Sequence, residues 1–124
     1  MSQCNSYLIK TLLIVLLFST NILILVSAEL AFAEDEDYGY GRFSVAYAYV
    51  SGWYDPSEPI IYYNCHHEAG YWVDPNYPYG GYLRVTVYPG EGNTGYPAYT
   101  YTTVYLYDAF GNEFKDSQAR AMLP

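Results

Sequence analysis

The chain has 124 residues, with 13 acidic and 5 basic side chains, a formal net charge of −8 and a pI near 4.3. That length allows one domain, and the acidity excludes a nucleic-acid binder that works by neutralising phosphates. An apolar content of 52% excludes a disordered acidic chain, although the 18 tyrosines mean that much of that apolar surface carries a hydroxyl.

Residues 1–33 read as a signal peptide. Lys10 precedes the apolar run Leu12–Phe18, which resumes at Ile22–Val26 after the polar Ser19-Thr20-Asn21. Ala31-Phe32-Ala33 offers the small-x-small pattern of a signal-peptidase site, and Val26-Ser27-Ala28 offers a second. Cleavage after Ala33 would start the mature chain at Glu34, and the alternative is an uncleaved anchor. Either way Lys10 stays inside and everything beyond residue 33 is exported, secreted or periplasmic, with membrane contact only through this segment. Cys4 leaves with it. Cys65 is then the single thiol, so no intrachain disulfide can form; it reads as a buried thiol, with a homodimer linked through Cys65 or a redox-sensitive thiol as the alternatives.

Glu34–Gly41 reads as an acidic, Gly-spaced flexible leader, 42–116 as the folded domain, and 117–124 as a tail in which Ser117 could cap one helical turn. Within the domain, Phe43, Val45, Tyr47 and Tyr49 alternate with Ser44, Ala46 and Ala48, the period of a half-buried strand. Ile60–Tyr63 and Tyr71–Val73 read as two short strands. Tyr82–Tyr88 alternates again, which directs Leu83, Val85 and Val87 to the core and Arg84 and Thr86 to solvent. Tyr99–Tyr107 is the longest strand, with Tyr99, Tyr101, Thr103, Tyr105 and Tyr107 set against Thr100, Thr102, Val104 and Leu106.

The connections are equally legible. Trp53–Pro59 and Trp72–Pro78 share the pattern W-x-D-P-x-x-P, in which Asp55 and Asp74 cap turn amides and the following Pro fixes φ. Asp108–Asn112 reads as a tight hairpin with Gly111 or Asn112 at positive φ. Strands separated by Pro/Gly turns predict an all-β fold, a small antiparallel β-sandwich of immunoglobulin-like or transthyretin-like type.

Asn64-Cys65-His66-His67-Glu68 concentrates donor atoms. On a strand Cys65 and His67 share one face, and Cys-x-His spacing suits a soft ion such as Cu or Zn if Glu68, Asp74 or Asp55 completes the set. No third orienting residue or oxyanion motif makes Cys65 and His67 a nucleophile pair, so the chain reads as no enzyme and as needing no cofactor outside the metal alternative. Ca²⁺ lacks the repeated Asp spacing it would need. The tyrosines are the larger anomaly, because a core this small cannot bury so many rings. Tyr99, Tyr101, Tyr105 and Tyr107, with Trp53 and Trp72, are therefore the candidate binding residues. Exposed aromatic arrays stack on sugars or make protein contacts, which predicts a non-catalytic binding or structural module meeting a protein or glycan at the cell surface. The alternative is a small metal-binding or redox-sensitive protein centred on Cys65, His66 and His67.

Overall fold

The computed structural model describes residues 29–58 and 60–124, so most of the expected signal peptide lies outside the described residues. Six strands follow in chain order: β1 Ala31–Tyr40, β2 Ser44–Tyr54, β3 Tyr63–Val73, β4 Gly81–Tyr88, β5 Tyr99–Tyr107 and β6 Glu113–Met122. They form two antiparallel three-stranded sheets, β1-β2-β3 and β4-β5-β6, with no helix among the described residues. Each sheet is a meander of consecutive strands, whereas an immunoglobulin-like domain exchanges strands in a Greek key.

The two sheets share one core. Ala46, Ala48 and Val50 of β2 meet Val104 and Leu106 of β5 and Ala119 and Ala121 of β6, closed at one end by Tyr62 and Leu123. Small residues dominate because the large members of each alternating set point the other way. On β2 the Ser/Ala side is buried and Val45, Tyr47 and Tyr49 are only half-buried. Buried hydroxyls are paired: Ser44 and Ser117 meet at 2.6 Å, and Thr100 donates to the Tyr49 carbonyl at 2.7 Å.

β1 corrects the expected flexible leader. Glu34–Asp37 are strand residues, paired in register with Ala48–Ser51 of β2. The alternation that looked like a charge run separates two jobs. Glu34 and Glu36 face solvent, while Asp35 and Asp37 turn to the edge of β6 and accept the Met122 and Arg120 N–H groups at 2.9 and 2.8 Å. Gly39 and Gly41 continue the inward set. A Cβ on Gly39 would stand 1.6 Å from the Gln118 carbonyl oxygen, so only glycine allows β1 to approach β6 this closely. Ala31–Ala33, the expected cleavage site, are also part of β1, opposite Gly52–Tyr54.

The expected helical tail is likewise strand. Residues 117–122 complete β6, with Ser117, Ala119 and Ala121 inward. A bulge between Val104 and Tyr105 leaves Asp116 without a partner on β5 and aims its carboxylate at the start of β2. There it accepts the Phe43 N–H at 3.0 Å and the Ser44 hydroxyl at 2.6 Å.

β3 absorbs Tyr71–Val73 and the whole donor cluster into one strand, while Ile60 and Ile61 lie exposed ahead of it. The turn signals hold. The Asp55, Asp74 and Asp108 carboxylates accept the N–H two residues on, and Gly111 closes the last hairpin at φ 85°. β4 departs from expectation. Leu83 packs against the core, but Val85 and Val87 are 43% and 37% exposed, because β3 does not extend over them as β1 extends over β6.

Candidate contact surface

Strict alternation along β5 buries Thr100, Thr102, Val104 and Leu106 and turns Tyr99, Tyr101, Tyr105 and Tyr107 to the outer face, each half-buried. Cross-strand partners share a face, so Tyr82 (opposite Tyr105) and Tyr88 (opposite Tyr99) join the array. The rings lie on one another. Tyr99 and Tyr101 stack at 4.4 Å between centroids and 25°, Tyr82 and Tyr105 at 5.4 Å and 20°, and Tyr88 and Tyr99 at 6.1 Å and 28°. Offset packing of this kind fixes the rings before any partner arrives.

Two guanidiniums complete the surface. Arg84 sits 5.7 Å above the Tyr105 ring and Arg120 5.4 Å above Tyr101, both as cation–π contacts. Lys115 lies opposite Tyr105 and so on the same face. The Tyr82 hydroxyl donates to Glu113 at 2.9 Å, and this bond, ahead of burial, pushes the phenol above its ordinary range. Sequence reasoning turned Arg84 to solvent without counting it in this surface, and missed Lys115 and Arg120. The signal for Arg120 was present in Ser117-Gln-Ala-Arg-Ala121, whose small residues alternate with polar ones as a strand requires.

Trp53 and Trp72 do not belong to this face. Both lie on the outer side of β1-β2-β3, where Trp53 pairs with Phe32 at 4.8 Å and Trp72 stands opposite Val45.

The donor cluster is divided by the strand that carries it. Cys65 is buried in the core, and desolvation, ahead of the field of Glu91, pushes its thiol up to about 11. His67 places Nδ1 2.8 Å from the Thr100 hydroxyl and Nε2 2.7 Å from the Pro89 carbonyl. Thr100 spends its own proton on the Tyr49 carbonyl. His66 points outward, held by Glu68 at 2.8 Å and Glu91 at 2.7 Å, and these bonds push its pKa up. Both ring nitrogens of each imidazole lie within hydrogen-bond distance of a partner. Among the described residues no three His, Cys, Asp or Glu side chains are grouped to hold a metal ion. The cluster instead ties β3 to the loop after β4, which also exchanges backbone bonds with Cys65.

No family model, no curated protein and no solved structure matches this chain.

Proposed function

We propose that this chain is an exported, non-catalytic interaction module, a small β-sandwich whose working surface is the outer face of β4-β5-β6. The observation that carries the reading is the stacked tyrosine array, outward on a strand that is already seated on the core by Val104 and Leu106. Rings held in place by one another lose little further freedom on contact, so their apolar area is available to a partner at small entropic cost. Arg84, Lys115 and Arg120 add N–H donors at the rim of the rings and favour a partner with carboxylates or hydroxyls, a protein surface or a glycan outside the cell.

The test is a Tyr101→Ser/Tyr105→Ser double variant. Cooperative unfolding should persist, while retention on cell-envelope material weakens by about 1–2 kcal/mol per ring. Unchanged retention, or loss of folding in the double variant, would reject the reading.

A further inference from the structure

The chain's charges are sorted by face. The register of β4-β5-β6 places Arg84, Lys115 and Arg120 outward, which is every Lys and Arg except Lys10 and Arg42, with Glu113 as the carboxylate on that side. The register of β1-β2-β3 places Glu34, Glu36 and Glu68 outward, with no Lys or Arg among its strand residues and with His66 as the one basic side chain there, shared between Glu68 and Glu91. Their fields are felt by Tyr47 between them, whose hydroxyl is pushed up first by burial and then by Glu36, Glu68 and Glu34. The second face is also aromatic: Tyr38 packs on Tyr47 at 4.9 Å, and Phe32 and Trp72 are 47% and 55% exposed. The sheets pack by their inner sides, so the acidic face and the basic face look in opposite directions.

We propose that copies of this chain associate head to tail, the acidic outer face of β1-β2-β3 of one molecule seated on the basic, tyrosine-rich outer face of β4-β5-β6 of the next. The inference rests on the reading of that second face as a contact surface and names its partner. Charge decides the pairing mode. A two-fold dimer brings like faces together, acid on acid or base on base, and like charges across an interface are costly. Head-to-tail stacking puts Glu36 and Glu68 against guanidiniums that each rest one flat side on Tyr105 or Tyr101, Arg84 giving one N–H to the Tyr105 hydroxyl at 3.4 Å, while their other N–H groups can meet carboxylates. Aromatic rings on both surfaces supply the apolar area that charge alone does not. Because the two surfaces lie on opposite sides of the molecule, repeating the contact extends a row instead of closing a pair.

Charge reversal in both directions tests this, read by sedimentation of the exported protein at rising concentration and 0.15 M salt. The wild type should grow past a dimer. Arg84→Glu/Arg120→Glu and Glu36→Lys/Glu68→Lys should each lose association at least tenfold while keeping their far-UV spectrum. Mixed in equal amounts, the two variants should associate again, although both stay net negative and bulk charge does not draw them together. A wild type that stays monomeric, a variant that still associates alone, or a mixture that stays monomeric would each overturn the proposal. Monomeric wild type that is nevertheless retained on cell-envelope material, with retention lost in the Tyr101→Ser/Tyr105→Ser variant, would remove this inference and leave the contact surface standing.

Discussion

The Asp37 carboxylate accepts the backbone N–H of Arg120 at 2.8 Å, from 83 residues away in the chain. Side-chain oxygens here take the place of a fourth strand. Asp35 and Asp37 serve the β6 edge, and Asp116 answers from the β6 bulge to the start of β2. The seam between the two sheets is thus closed by carboxylates and backbone amides, contacts that are shorter and stronger than neutral ones.

That closeness makes Gly39 the most demanding position on β1. Gly39→Ala should cost about 1–3 kcal/mol, because its methyl would collide with the Gln118 backbone and the strand would have to lift. Gly70→Ala on β3 is the control, since an added Cβ there meets nothing within 4 Å. Urea midpoints of the two variants should separate clearly, and equal effects would mean that β1 does not lie on β6.

The mature chain should begin at Glu29. A cut after Ala33 would delete the pairings of Ala31, Phe32 and Ala33 with Tyr54, Trp53 and Gly52 and remove the ring against Trp53. A cut after Ala28, at Val26-Ser27-Ala28, leaves all of β1 in place. N-terminal sequencing of exported material distinguishes the two, and a start at Glu34 would show that the first turn of pairing is dispensable.

Val85 and Val104 face the same interior and should respond differently. Val104→Asp places a charge in a fully buried site and should abolish cooperative unfolding. Val85→Asp, at 43% exposure, should cost under about 1 kcal/mol. Comparable losses would mean that β4 is covered in solution.

The contact between β3 and the loop after β4 should be strongest in mildly acidic solution. Hydrogen bonds donated by His66 to Glu68 and Glu91 raise its pKa, so its contribution is complete below the ordinary value of 6.5 and fades as pH rises through the folded value. For Glu91, burial pushes the carboxyl up, but bonds from His66 and the His67 N–H outweigh it and hold it low. Its contribution is present above 4.5 and is lost as pH falls through the lower folded value. Together they define a plateau between pH 4.5 and 6.5. NMR titration of the His66 ring should give a midpoint above 6.5 that returns toward it in Glu91→Gln, and an unmoved midpoint would break the clamp.

What could be read from residues alone was whatever alternation and turn chemistry carry locally. The two faces of β5 were legible because each set is chemically uniform, and the Asp-capped turns because their geometry is set within four residues. β1 was not, because four carboxylates in a row suggest solvation, and only the opposing edge of β6 shows that Asp35 and Asp37 are bonded to it. The β6 tail was hidden by Ser117, a good helix cap that here faces Ser44. Exposure of Val85 and Val87 depends on how far the other sheet reaches, which no local pattern encodes. The cationic side of the tyrosine surface follows once β6 is a strand, since Lys115 and Arg120 take their side from register.

β4, the end strand of its sheet, also sets a limit on how this protein can be handled. Leu83–Tyr88 is rich in β-branched and aromatic residues, has no proline or bulge, and carries Arg84 as its one charge, a charge already laid down on Tyr105. Sheets elsewhere guard such edges with charges, prolines or covering loops. Here the unpaired row of amides and carbonyls is a template for any strand brought to it, and its occupation rises with protein concentration. Concentrated stocks should therefore age by strand addition at β4, and an extra lysine at Thr86 is the substitution that would lengthen their shelf life.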